Sequence, residues 1–322
     1  MDLSALISGI KLGDRLALAK AITLIESSKQ KDRMAAMQLI TELYDHRKNA
    51  IRLGITGIPG VGKSTFIEKL GKHITSLGLR VAVLAVDPSS SRSSGSILGD
   101  KTRMEELSRD PHAFIRPSPS GGTLGGIAAR TRETMLLCEA AGFDVIIIET
   151  VGVGQSETEI INITDCFLML AMPGTGDELQ GIKRGIMESA DVIVINKADG
   201  DLLDQARKAK KQIEMALHLF PSAESGWQPK VLLASALHNE GISECWKAVN
   251  ARQKTIEESG WLQSLRKQQQ ERAFQKMAER SIYEYVFRNL NSQNVVDKLE
   301  EGLKQGWLNE FEATLQLLRE IN

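Results

Sequence analysis

The chemistry of this chain is concentrated in a few short strings. Gly57-Ile58-Pro59-Gly60-Val61-Gly62-Lys63-Ser64-Thr65 follows an apolar run, Ile51–Thr56, and precedes a helical pattern from Phe66 to Leu77. This is the G-x-x-x-x-G-K-[ST] pattern in a strand–loop–helix setting. Its glycines let the backbone turn tightly enough to aim successive N–H groups at phosphate oxygens, and the helix start adds partial positive charge. Lys63 is expected to reach the β- and γ-phosphates and the Ser64 hydroxyl to ligate Mg²⁺. A second apolar run, Val145–Ile148, delivers Glu149-Thr150-Val151-Gly152-Val153-Gly154-Gln155. An acid ending such a strand fits the place that holds Mg²⁺ through water, here Glu rather than Asp. The Gly152 N–H fits a γ-phosphate contact that exists with a triphosphate and vanishes with a diphosphate. Asp87, at the end of Val81–Val86, and Asp100 are further candidate carboxylates near the metal. Read alone, each is more readily a helix cap or turn former.

The base is addressed by Asn196-Lys197-Ala198-Asp199, which follows the run Val192–Ile195. A carboxylate at Asp199 accepts both the N1–H and the exocyclic amine of guanine. Adenine lacks that donor pair and would leave the carboxylate unsatisfied, which a hydrogen-bonded site rejects strongly. Lys197 is expected along the base plane, with Asn196 bracing the loop. The amides of Ser235 and Ala236, at another strand end, are expected to meet guanine O6. The cofactors implied are GTP/GDP and Mg²⁺. No residue stands out to orient an attacking water; Asp87, Glu149 and Gln155 are the candidates, and Arg92, Arg103 or Lys183 could add positive charge. Slow intrinsic hydrolysis, raised by a partner, is the expectation.

The elements that must position these residues read as three regions of the 322-residue chain. Residues 1–47 carry two helical stripes. Residues 48–255 alternate helical patterns with short runs at Ile51–Thr56, Val81–Val86, Val145–Ile148, Phe167–Ala171, Val192–Ile195 and Val231–Ala234. Nearly continuous apolar runs of this kind belong to strands buried on both faces of a parallel sheet. The fold class is therefore α/β, a mostly parallel sheet flanked by helices of the P-loop NTPase type, with helical extensions at both ends. Residues 256–322 keep helical spacing through Phe274, Met277, Ile282 and Tyr285, and again from Val295 and beyond Gly306. A hairpin this short cannot bury its apolar faces alone and needs the α/β domain or a second chain.

Composition narrows the function classes. Forty basic against 41 acidic residues give a net charge of −1, so no global field draws nucleic acid or an anionic membrane. Lys208–Lys211 and Arg266-Lys267 read as solvated helix faces. No apolar run approaches the roughly 20 residues of a membrane span, and the N-terminus lacks the basic-then-apolar order of a secretory signal. The expected location is the cytoplasm. The three cysteines, Cys138, Cys166 and Cys245, have neither disulfide nor zinc spacing and read as buried thiols. The five histidines are scattered, which argues against a nickel- or zinc-insertion GTPase. A kinase would need an acceptor-hydroxyl site with a base beside it, and the sequence offers neither.

Taken together, Gly57–Thr65, Asp87-Pro88-Ser89-Ser90, Gly95–Met104, Glu149–Gln155, Gly174–Lys183 and Asn196–Asp199 resemble the MeaB/ArgK-type GTPases. These are G-protein chaperones of adenosylcobalamin-dependent methylmalonyl-CoA mutase. The resemblance covers essentially the whole chain. It implies a homodimer whose contact is carried largely by the C-terminal extension, and a role in assembly, cofactor loading and protection of the mutase. It further implies switches at Asp87 to about Met104, with Asp87 and Asp100 near Mg²⁺, and at Glu149 to about Ile161. Met172–Lys183 becomes a third switch coupling nucleotide state to the mutase, with Asp177, Gln180 and Lys183 as its polar candidates. Ser94 departs modestly from the pattern, since relatives often carry Gly there.

Overall fold

A computed structural model describes residues 2–27, 29–87, 104–119, 124–150, 155–173, 184–221, 223–292 and 294–321. The chain divides into two compact units, residues 1–267 and 268–322.

The first unit is built on a seven-stranded parallel sheet in the order β3-β2-β4-β1-β5-β6-β7. Its strands are β1 (Ile51–Gly57), β2 (Val81–Asp87), β3 (Ala113–Pro119), β4 (Val145–Glu149), β5 (Cys166–Ala171), β6 (Val192–Ile195) and β7 (Lys230–Leu233). Six of these occupy the apolar runs of the sequence. β3 does not: Arg116, Pro117 and Pro119 interrupt its apolar pattern. It is an edge strand paired only with β2, so prolines that cannot donate to a ladder are tolerated there.

Alternation along each strand feeds two cores, one per face. Val145 and Ile147 of β4 enter one core with Phe66, Ile67 and Leu70. Ile146 and Ile148 enter the other with Leu18, Ile22 and Leu39. The helices are α1 (Leu3–Lys11), α2 (Arg15–Glu26), α3 (Gln30–Leu43), α4 (Lys63–Ser76), α5 (Glu105–Ser108), α6 (Leu124–Ala140), α7 (Gln155–Ile161), α8 (Arg184–Ser189), α9 (Leu203–Leu217) and α10 (Ile242–Glu258). The N-terminal helices α1–α3 pack into the same core as Ile146 and Ile148.

The amino ends of the strands are held by buried ion pairs. Arg52 of β1 forms a fork with Glu139 of α6, Nε to Oε1 at 2.7 Å and Nη2 to Oε2 at 3.1 Å, with both side chains buried. Asp165, just before β5, accepts from the Arg52 amide at 3.1 Å and from both arms of Arg266 at 3.0 and 2.6 Å. A charge inside a strand is thus neutralised by groups remote in sequence.

α11 (Trp261–Ser292) carries the chain into the second unit, which also holds α12 (Val295–Gln305) and α13 (Glu310–Ile321). Gly306 ends α12 in the left-handed region at φ +76°. Within this unit Phe274, Ile282, Tyr285, Trp307, Phe311 and Leu315 are all more than half exposed.

Candidate nucleotide site

β1 is central, and the sheet order reverses about it: β2 lies to one side beyond β4, while β5, β6 and β7 lie to the other. Ligands of open α/β sheets bind outside the carboxyl ends of the strands at such a reversal. The Gly57–Thr65 loop leaves β1 at this point.

The loop geometry follows from its glycines. Gly62 caps α4 in the left-handed region at φ +93°, and a Cβ there would stand 2.8 Å from Asn196 Nδ2. Among the described residues no side chain caps the start of α4, and the first amide of this helix to find a carbonyl is that of Phe66, on Gly62 O at 2.9 Å. The uncapped first-turn amides and the helix dipole together suit an anion. Lys63 Nζ folds back onto the carbonyls of Gly57 at 2.6 Å and Ile58 at 3.3 Å. Burial lowers the pKa of this ammonium, against the opposing pull of the Glu149 and Glu157 carboxylates.

Glu149 ends β4, paired in register with Ile55 of β1 and Ala85 of β2. Its Oε1 accepts from Ser64 Oγ at 3.4 Å. The next residue fixes that strand end: Thr150 N donates to Ile55 O at 3.0 Å, and its hydroxyl donates to the buried Thr56 hydroxyl at 2.8 Å. A hydroxyl and a carboxylate facing each other beside the phosphate loop are oxygen donors of the kind Mg²⁺ takes. Asp87 is the last residue of β2 at the same edge, and Gln155 opens α7; the side-chain roles expected of both lie outside the described residues, as do Asp100, Gly152, Lys183, Asp177, Gln180, Arg92 and Arg103.

Asn196 joins the two halves of the site. It is buried, its Nδ2 donates to Val61 O of the phosphate loop at 2.8 Å, and its Oδ1 accepts from Ala236 N at 3.0 Å. Because the amine must face a carbonyl, the orientation of the carboxamide is fixed. Lys197 takes a left-handed φ of +60° and is exposed, and Asp199 is half-buried two residues on. The base loop is pinned from behind by Ala198 N on Ala234 O at 3.0 Å. The amide of Ser235 bonds to Glu240 O at 3.0 Å and that of Ala236 to Asn196 Oδ1 at 3.0 Å, which sets the turn after β7 beside the base loop.

Glu157 is a residue that the sequence did not single out. It lies in the first turn of α7 with 1% exposure, one turn before Ile160, whose methyl would meet a Cβ placed on Gly54 of β1 at 3.1 Å. That packing directs its face of α7 toward β1, and its charge acts on Lys63.

Comparison with known proteins decides the family. The sequence model of the family described as "Methylmalonyl Co-A mutase-associated GTPase MeaB" matches residues 18–291. The chain belongs to the MeaB family. It is 50% identical over 280 residues to the GTPase ArgK of Escherichia coli, covering 87% of this chain and 85% of that one. It is 44% identical over 324 residues to the mitochondrial methylmalonic aciduria type A homolog of Mus musculus, covering 98% and 78%. Among solved structures, one described as a LAO/AO transport system kinase superposes with a TM-score of 0.76 at 40% identity, covering 99% of this chain and 97% of that one. This MeaB-family chain is a P-loop GTPase, and guanine nucleotide is its ligand.

Proposed function

We propose that this GTPase is a guanine-nucleotide switch that assists an adenosylcobalamin-dependent methylmalonyl-CoA mutase in assembly, cofactor loading and protection, working in the cytoplasm as a Mg²⁺-dependent homodimer. The observation that carries the nucleotide part is Asn196, which ties the phosphate loop to the base loop and so binds the two recognition elements into one site. The partner part rests on the family and on the relatives' names. The dimer part is supported by the exposed apolar side chains of the segment from residue 256 onward, our proposed dimerisation extension, beside a helical extension at 1–47 and a GTPase domain at 48–255.

Phosphoryl transfer from GTP to water needs positioning and charge neutralisation more than covalent help. The amides at the start of α4 and Lys63 hold the phosphates, Lys63 leaving Gly57 O and Ile58 O as they arrive. Ser64 and Glu149 would hold Mg²⁺, with Asp87 and Asp100 as further carboxylates; the ion supplies charge neutralisation on the β- and γ-phosphates. The Gly152 amide would sense the γ-phosphate. Gln155 and Lys183 remain the proposed water-orienting and charge-supplying groups. Asp199 reads the base, with Lys197 along its plane.

The reading is tested by size-exclusion chromatography of the full-length protein with the mutase, in the presence of GDP or a non-hydrolysable GTP analogue. A complex whose stability differs between the two nucleotides is expected. No complex with either would overturn the partner assignment while leaving the GTPase intact.

A further inference from the structure

Three arginines gather around one buried carboxylate on the face of the sheet that α6 covers. Glu139 accepts from Arg52 Nε and Nη2 and, at 3.3 Å, from Arg47 Nη1. Arg47 also donates through Nε to Tyr44 O at 2.6 Å and lays its guanidinium over the Tyr44 ring, 3.7 Å from the centroid. Its Nη2 has no acceptor among the described residues. The turn Tyr44–His46 packs against α6, and Arg132 lies on that helix about two turns before Glu139. Arg132 is part-buried and makes no hydrogen bond or ion pair among the described residues, Glu133 beside it included.

Arg47 and Arg52 have a structural task in holding Glu139, whereas Arg132 holds no such partner. Burial lowers the pKa of its guanidinium, the Arg52 and Arg47 charges add to the effect, and Tyr44 and Glu133 oppose it. A lysine in such a place could give up its proton; a guanidinium stays charged. A half-desolvated cation beside two like charges is unfavourable until an anion faces it. The α6 helix packs into one core of the sheet, and α4, which follows the phosphate loop, into the other. This charge therefore lies on the opposite face of the sheet from the helix that receives the phosphates of the nucleotide. Guanidinium forks match the oxygens of phosphate and carboxylate alike. We propose that Arg132 and the free Nη2 of Arg47 bind a small oxyanion, a phosphate or a carboxylate group, on the α6 side of the sheet.

The test uses the full-length protein saturated with GDP and Mg²⁺, so that the phosphate loop is filled. Thermal unfolding of wild type, Arg132→Met and Arg132→Lys is followed in sodium chloride, sodium sulfate and sodium malonate at one ionic strength. Wild type is expected to gain about 3–5 °C at tenfold the half-saturating anion concentration. A rise with sulfate alone marks a phosphate-type ligand, with malonate alone a carboxylate, and with both a site open to either group. A general salt effect grows without saturating and is shared by all three proteins. Arg132→Met keeps the apolar stem and removes an unpaired cation. It is expected to melt at or above wild type in chloride and to lose the saturable rise. Arg132→Lys keeps the charge without the fork and should retain a smaller rise. GDP affinity stays that of wild type in both variants. Anomalous diffraction from crystals grown with selenate is expected to show the ion within hydrogen-bond distance of Arg132. The same saturable rise in wild type and Arg132→Met, no saturable rise in wild type, or a selenate ion that leaves Arg132 free would overturn the proposal. So would an Arg132→Met variant that melts several degrees below wild type in chloride, since the guanidinium would then already have its partner in the protein.

Discussion

Replacing Asn196 by Ala tests whether the phosphate and base loops form one unit. The side chain makes two bonds inside a closed environment, to Val61 O and from Ala236 N, and Val61 and Ala236 are themselves buried. Truncation leaves a carbonyl and an amide unsatisfied, at about 1–3 kcal/mol each. The expected loss is therefore roughly 2–6 kcal/mol of folding stability. For a domain of this size that lowers Tm by about 5–15 °C. GDP affinity should fall at least about tenfold, because the two loops are then no longer pre-ordered for one ligand. Asn196→Asp separates the two bonds: it keeps an acceptor for Ala236 N but has no donor for Val61 O, and sets a charge against that carbonyl. It should unfold early as well and lose GDP affinity. The assay is thermal denaturation of the nucleotide-free protein alongside GDP titration. An Ala variant that melts within about 2 °C of wild type and binds GDP equally well would refute the reasoning.

The same geometry bears on three other perturbations. Asp199→Asn should cut GTP binding by about 100-fold or more and raise binding of xanthosine triphosphate, whose C2 carbonyl suits an amide donor; equal losses for GTP and ATP in a competition titration would contradict the base assignment. Glu149→Gln should raise the Mg²⁺ concentration needed for half-maximal hydrolysis and lower turnover, while the far-ultraviolet circular dichroism stays that of wild type. Glu139→Ala, far from the nucleotide, should cost about 3–5 kcal/mol in urea denaturation, because it removes the carboxylate that the buried Arg52 guanidinium faces.

Asp110 contributes to acid sensitivity. Burial would raise the pKa of Asp110, but the Lys72 ammonium, the His112 amide and the Thr75 hydroxyl outweigh it and bring the carboxyl to about 2. A depressed carboxyl contributes stability above its ordinary pKa and loses it as pH falls through the folded value. Wild type should therefore lose its advantage over Asp110→Asn between about pH 4 and pH 2, measured as the difference in Tm across that range. A difference independent of pH would remove this contact from the account.

Much of the fold was legible because parallel strands buried on both faces are written as unbroken apolar runs. β4, with Val145–Ile148 alternating between two cores, is the clearest case. β3 escaped because an edge strand tolerates prolines that an inner strand does not. Arg52 inside β1 was uninterpretable locally, since its partners Glu139 and Asp165 lie far along the chain and meet it only in the fold. The phosphate and base strings were readable because their chemistry depends on spacing. What the sequence could not supply was the bonding of the turn after β7: only the fold shows Asn196 Oδ1 on the amide of Ala236 and Glu240 O on that of Ser235. Glu157 was hidden for a related reason, because its burial depends on how α7 is laid against β1.

The most direct test of the central claim is the fate of the γ-phosphate of labelled GTP, followed with the purified protein alone and with the adenosylcobalamin-dependent mutase. The account predicts free phosphate, released slowly by the protein alone and faster when the mutase is present, with no label on either protein. Label retained on a protein acceptor, or ATP consumed as readily as GTP, would contradict it.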